Sequence, residues 1–232
     1  MKRTFYFLIM TLCGVLGAAA RVYEVKTGSF TKLIIPDNLQ VVYTCDPERA
    51  GTAHFECEDT MADALMFSRS GSDKLKVQIS PDFIGQKLDL PVIYVYSEFL
   101  VEVESSSNEK VTVKGLPRCA GFKATIFNNG VIDLQDIDMG KLTARLMTGH
   151  GTINISGKAD EAVFSLAGTG TIDASRAPVG KVSCHVFGGG QIYCHPLDEI
   201  KLKGLGSTTV YYSGKPAKVK KQGIGKLVHV GD

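Results

Sequence analysis

Three stretches decide the fold: TGHGTINIS (148–156), AGTGTIDAS (167–175) and FGGGQIYCH (187–195). Each opens on a Gly-x-Gly turn and runs into alternating apolar residues. The same pattern begins in FNNGVIDL (127–134) and continues in KGLGSTTVYY (203–212) and QGIGKLVHV (222–230). The turns close at Gly130, Gly151, Gly170, Gly190, Gly206 and Gly225, in steps of 21, 19, 20, 16 and 19 residues. A period near twenty predicts stacked β coils, each burying one edge against the next. The expected fold is all-β: a solenoid of Gly-x-Gly repeats of 16–21 residues with a strand on either side of each turn.

Alternation assigns the interior. Residues two apart in a strand share a face. Two positions after each closing glycine stand Ile132, Ile153, Ile172, Ile192, Thr208 and Leu227; four positions after stand Leu134, Ile155, Ala174, Cys194, Val210 and His229. Both sets are predicted to stack as inward ladders. The strands before the turns alternate too, through Phe122, Ala124 and Ile126, through Ala162, Phe164 and Leu166, and through Val182, Cys184 and Val186. Leu142, Ala144 and Leu146 fall one residue out of phase, which predicts a bulge or a longer turn near Thr148. The turn glycines are Gly130, Gly149, Gly151, Gly168, Gly170, Gly188, Gly190, Gly204, Gly206, Gly223 and Gly225. They are expected to supply positive φ and to make room where turns stack without a Cβ. A phosphate-cradling loop is excluded, because strands rather than helices follow these glycines.

Outside the repeat, residues 1–20 read as a secretory leader. Lys2 and Arg3 begin it, Phe5 to Leu16 form its apolar run, and Ala18-Ala19-Ala20 fits a cleavage site. The apolar run is too short for an ordinary transmembrane helix, and no second one follows. An exported protein starting at Arg21 is therefore expected, in the periplasm or on the cell surface. Residues 21–116 form a β-rich N-terminal part and 117–232 the repeat, with 21–232 one continuous domain as the alternative. Strands are predicted at 30–35, 39–45, 52–58, 74–79, 92–96, 100–104 and 110–114. Helical character is confined to Thr60–Phe67, with Thr60 as its cap, and Phe83–Pro91 is predicted to be a loop.

Net charge is +2 with 44% apolar residues, the balance of an ordinary globular chain. Seven lysines and one acid, Asp232, follow Ile200. They are read as a solvated face guarding the last coil edge, with an anionic surface or polysaccharide as the alternative partner. Nucleic acid is not expected, since no aromatic-rich basic strip is present.

The resemblance rests on the early strand Phe30-Thr31-Lys32-Leu33-Ile34-Ile35, the serial Gly-x-Gly coils and the closing stretch GLGSTTVYYSGKPAKVKKQGIGKL (204–227). Gly204, Gly206, Tyr211, Tyr212, Gly214, Pro216, Gly223 and Gly225 are its most specific residues. With these the chain resembles the putative auto-transporter adhesin family with the head GIN domain, over roughly residues 25–230. The resemblance implies a right-handed β-helix-like fold and a secreted, periplasmic or surface protein of a Gram-negative bacterium. It brings no catalytic residues. Asn128-Asn129-Gly130 departs from the pattern by lacking its first glycine.

Candidate chemistry is sparse. Five cysteines remain after the leader, at 45, 57, 119, 184 and 194. Cys184 and Cys194 would face each other and bond if the Gly188-Gly189-Gly190 turn closed an antiparallel pair, but would be separated if the chain continued around a coil; two small buried residues is the third reading. Cys184-His185 and Cys194-His195 do not make a zinc site, because alternation sends each Cys inward and each His outward. His150 is read as a surface turn residue. Outward Asp133, Asn154 and Asp173 form a ladder of oxygens, a metal candidate beside the reading of a solvated row. No cofactor is implied. The leading functional reading is a non-enzymatic adhesion or interaction module of a bacterial envelope, with Tyr193, Tyr211 or Tyr212, Asn154 and the Asp pair as contact features. A glycan and a host or envelope protein are the candidate partners. The alternatives are a β-helix enzyme acting on polysaccharide and a periplasmic structural protein. The open last coil and the odd thiol make a homo-oligomer a further expectation.

Overall fold

A computed structural model describes residues 20–231. The leader-like segment, Ala20 apart, and Asp232 lie outside the described residues. The strands are, in order, β1 (Arg21–Lys26), β2 (Lys32–Ile35), β3 (Val41–Cys45), β4 (Thr52–Cys57), β5 (Leu65–Ser70), β6 (Lys74–Ile79), β7 (Ile93–Ser97), β8 (Glu102–Ser105) and β9 (Lys110–Lys114). The repeat follows as β10 (Cys119–Ile126), β11 (Val131–Leu146), β12 (Thr152–Leu166), β13 (Thr171–Val186), β14 (Gln191–Gly204), β15 (Thr209–Tyr212), β16 (Lys218–Gly223) and β17 (Lys226–His229). All belong to one hydrogen-bonded sheet that winds into a solenoid of about six turns.

From β10 onward every pairing is parallel and joins one coil to the next. The strand after each turn does not run straight. Register breaks between Leu134 and Ile137, and at matching places in later coils, bend it around a corner. A coil therefore has three faces, not two strands: residues 131–134, 137–139 and 141–146 in the first, then the turn. Asp136, at φ 54°, turns the first corner. Its N–H donates to the Ser156 hydroxyl of the coil above, at 3.1 Å.

Side-chain ladders fill the interior. Ile93, Val41, Val111, Ile132, Ile153, Ile172, Ile192 and Val210 stand in one register column on the first face, and all are fully buried. Each such side chain contributes roughly 2 kcal/mol by leaving water. Phe164 sits on the third face between Ala144 and Cys184, so one large ring alternates with two small neighbours. The column reaches Val210 and not Thr208, which corrects the count from Gly206. The short sixteen-residue step is the cause: Gly206 stacks on Gly188, and Thr208 takes the place of the closing glycine. Its side chain is buried there and its hydroxyl donates to Gly188 O at 2.8 Å.

Leu142, Ala144 and Leu146 lie in register with Phe122, Ala124 and Ile126 and with Ala162, Phe164 and Leu166. The extra residue is absorbed by a longer turn at 147–151, with Gly149 at φ 71°. Most turn glycines serve stacking and not positive φ. Gly151 and Gly168 have no positive φ, yet a Cβ on them would meet Asn128 O at 2.9 Å and Gly149 O at 2.6 Å. The turns bond to one another through Thr169 N–H to Gly149 O (2.9 Å) and Gly189 N–H to Gly168 O (3.1 Å).

Strands β2 with β3 and β8 with β9 form parallel layers that extend the same faces. The layer of β6 and β7 stacks outside β2 and β3, although it follows them in sequence. Antiparallel β5 on β6, and β4 on β7 with β1 beyond, finish that end. The predicted helix at 60–67 is corrected: α1 spans only Asp59–Ala62, follows Glu58 and has no side-chain cap. Leu65 and Phe67 belong to β5, held by pairing with Ile79 and Val77. At the other end β16 and β17 are last in the stack, with no strand on their far side among the described residues.

Candidate functional site

Within the repeat, the outward ladder of the first face runs from Asp133 through Asn154, Asp173, Tyr193 and Tyr211 to Val228, and it continues below Asp133 through Thr112, Val42 and Tyr94. The three oxygen-bearing residues are thus neighbours, as the turn spacing implies. Their carboxylates are already engaged. Asp133 meets the Lys110 ammonium at 3.0 Å and accepts from Gln135 at 2.9 Å. Burial opposes its ionisation, but those two partners outweigh it and hold the carboxyl below its ordinary value. Asp173 accepts from the Ser175 N–H at 3.0 Å and from its hydroxyl at 2.6 Å. Among the described residues no three His, Cys, Asp or Glu side chains converge as a metal site.

Tyr193 and Tyr211 stack with ring centroids 4.9 Å apart and planes 12° from parallel. Each ring covers one face of the other, so the pair shows mainly edges and hydroxyls outward. Tyr193 donates to Gln191 Oε1 at 2.7 Å. Of the two later tyrosines Tyr211 is the outward one; Tyr212 stands in register with inward Cys194 and leans on His229 at 5.0 Å.

The 188–190 turn does not close an antiparallel pair: β13 and β14 are parallel, and the chain continues around the coil. Cys184 and Cys194 still meet, because they point inward from the third and first faces of adjacent passes. Both are buried free thiols; Cys194 Sγ donates to Tyr211 O at 3.7 Å, and the neighbouring Cys194 thiol together with burial raises the Cys184 thiol well above its ordinary value. His185 and His195 lie on the outer side, and His195 Nδ1 is 2.8 Å from the Ser213 hydroxyl. His150 is an exposed turn residue, its Nδ1 2.6 Å from the Thr169 hydroxyl. A cleft of about 170 Å³ beside Phe30, Asp73, Glu98 and Phe99 is smaller than the roughly 300 Å³ at which ligand pockets begin. Asp73 is occupied there by Lys32 at 3.1 Å.

Sequence alternation missed one feature. At the corner between the third face and the turn, each coil presents one residue outward: Phe127, Met147, Ala167, Phe187, Leu205 and Ile224. Backbone bonds place each one strand above the last, through the N–H groups of 147, 167, 187, 205 and 224. Phe187, Leu205 and Ile224 are 67%, 73% and 69% exposed, and Phe127 and Met147 about 40%. Six such positions make a straight apolar ridge about 24 Å long at strand spacing. The signal was in the sequence, directly before the glycine pair at Ala167 and Phe187 and between the two glycines at Leu205 and Ile224, but strand alternation does not cover the residue between strand and turn.

A capped solenoid with a continuous outer ladder and an apolar corner defines a class of protein built around repeated surface. The chain belongs to the family described as "Putative auto-transporter adhesin, head GIN domain", whose model matches residues 29–216. Among solved structures, one described as a putative adhesin from Bacteroides fragilis NCTC 9343 is similar, with 18% identity and a TM-score of 0.77 over 92% of this chain and 98% of that one. A putative adhesin from Parabacteroides merdae ATCC 43184 aligns with 20% identity and a TM-score of 0.67 over 91% and 96%. A protein from Parabacteroides distasonis ATCC 8503, described as a putative lipid binding protein, aligns with 17% identity and a TM-score of 0.65 over 91% and 97%. At these identities the likeness is one of fold. No curated protein matches the chain.

Proposed function

We propose that this protein is an exported, non-catalytic interaction module of a bacterial cell envelope. The observation that carries the reading is the apolar ridge: exposed patches of this kind on folded proteins mark interaction sites. The rigid stack supports it, since a solenoid offers an extended surface rather than a pocket. Family membership and neighbours described as adhesins support it also. The engagement of the Asp133 and Asp173 carboxylates by Lys110 and Ser175 supports the non-catalytic reading over a polysaccharide-cleaving one, which uses a paired acid and base.

The test compares cells that make the protein with cells that lack it, for attachment to glycan-coated and protein-coated surfaces. Protease treatment of intact cells runs alongside, with a periplasmic protein as control. Digestion of the protein together with an attachment defect in the deletion strain is expected. Protection from protease would place the module inside the envelope and remove the external partner. Cleavage of an acidic polysaccharide by purified residues 21–232, lost in Asp173→Asn, would overturn the non-catalytic reading.

A further inference from the structure

Charge around the ridge is segregated. In the coils from residue 141 on, the outward residues next to the ridge on the third face are Arg145, Ser165, His185, Lys203 and Gln222, in one register row. None is acidic. On the other flank Lys226 opens β17. In these coils the acids of the third face gather at its far end, where Glu161 lies 3.6 Å from Lys181, and Glu199 lies 3.1 and 3.3 Å from Lys201 and Lys220. Exposed Lys203 and Lys226 have no acidic partner among the described residues, whereas Lys221 stands in register with inward Leu202 at the open end of the stack. Beside them stand Phe187, Leu205 and Ile224, the most exposed side chains of the ridge.

We propose that this corner seats the protein on a bilayer surface carrying anionic phospholipid headgroups. Phe187, Leu205 and Ile224 enter the interface, and Lys203 and Lys226 meet the headgroups. The inference rests on the interaction-module reading and names its partner. Two features select this occupant. The ridge is a convex edge with one apolar residue per strand, a shape that a soft interface accepts without a matching groove. Its unpaired charges are all of one sign, so a second copy docked ridge to ridge would bring four lysines together, whereas anionic lipid complements them. Lying on this corner, the solenoid leaves its second face turned away from the membrane.

The experiment is cosedimentation of purified residues 21–232 with vesicles of phosphatidylethanolamine and phosphatidylglycerol, against phosphatidylcholine alone. Binding to the anionic vesicles at least about tenfold above the neutral ones is expected, falling when salt is raised to about 0.5 M. The triple variant Phe187→Ser, Leu205→Ser, Ile224→Ser loses at least about tenfold in binding. The variant Lys203→Gln, Lys226→Gln loses the preference for anionic vesicles. These side chains are exposed, so unchanged urea midpoints are expected and separate lost binding from lost folding. Equal binding to both vesicle types, or wild-type binding by the apolar triple variant, overturns the proposal. So does a solution mass of two copies that the apolar variant halves, without vesicle binding. An attachment defect in deleted cells without vesicle binding overturns this inference and leaves the module reading in place; vesicle binding without an attachment defect does the reverse.

Discussion

Gly190→Ala and Gly225→Ala change the same position of the repeat, and neither glycine has a positive φ. A purely conformational role would make both substitutions neutral, or stabilising by about 0.4–1 kcal/mol through the unfolded chain. Stacking separates them. A Cβ at 190 would lie inside the van der Waals shell of Gly170 O, with Thr169 C at 2.9 Å and Gly170 C at 3.0 Å. All three are backbone atoms, held by Gln191 N–H donating to Gly170 O at 3.0 Å and Gly189 N–H donating to Gly168 O at 3.1 Å. Relief needs a backbone shift, about 1–3 kcal/mol of overpacking, and weakens one bond of about 1 kcal/mol. The expected loss is about 2–4 kcal/mol, a fall of about 1 M in the urea midpoint. At 225, in the last pass of the stack, the nearest atoms are the Val186 Cγ2 methyl at 3.2 Å and Thr208 O at 3.3 Å, both outside the severe range met at 190. Gly225→Ala is expected to stay within about 1 kcal/mol of the parent. Equilibrium urea unfolding followed by circular dichroism reads both. Equal losses at the two sites would refute the stacking argument.

Phe164→Ala empties the largest side chain of its column between Ala144 and Cys184 and should cost about 3–5 kcal/mol; a loss below about 1 kcal/mol would show that the coil collapses around the gap. Asp133 has a folded pKa below its unfolded value, so its contribution is present above an unfolded pKa of about 4 and is lost as pH falls through the folded value. Asp133→Asn should therefore destabilise at pH 7 and become harmless in acid; a destabilisation that does not change with pH would show that charge is not its cause. Mild oxidation of the folded protein should join Cys184 to Cys194, read by peptide mass, since the two buried free thiols are neighbours across the interior. Recovery of both as free thiols after oxidation would count against that pairing.

The coil was legible because stacking imposes a one-dimensional rule: each pass must repeat the apolar register of the pass below. Ile132, Ile153, Ile172 and Ile192 obey it at a constant offset from their glycines. The offset failed at Thr208, because a turn can exchange a glycine for a threonine whose hydroxyl satisfies a carbonyl. The phase slip at Leu142 to Leu146 is absorbed by the longer turn expected near Thr148, which leaves the strand in register. Strand β5 was mistaken for a helix extension because Met61, Ala64, Leu65 and Phe67 fit a helical stripe, and only pairing with β6 decided otherwise.

The sequence by itself determined the period, the inward ladders and the all-β class, because these follow from local alternation and from glycine where coils crowd. It also showed which carboxylates would share a column, since register on a parallel stack is inherited from coil to coil. Only the tertiary structure decided what lies across the interior and around each corner. The Cys184–Cys194 contact, the insertion of β2 and β3 beneath the layer of β6 and β7, and the apolar ridge all join residues whose closeness is set by how the coil closes. Closure is a property of bends at residues such as Asp136, and no period along the chain records them.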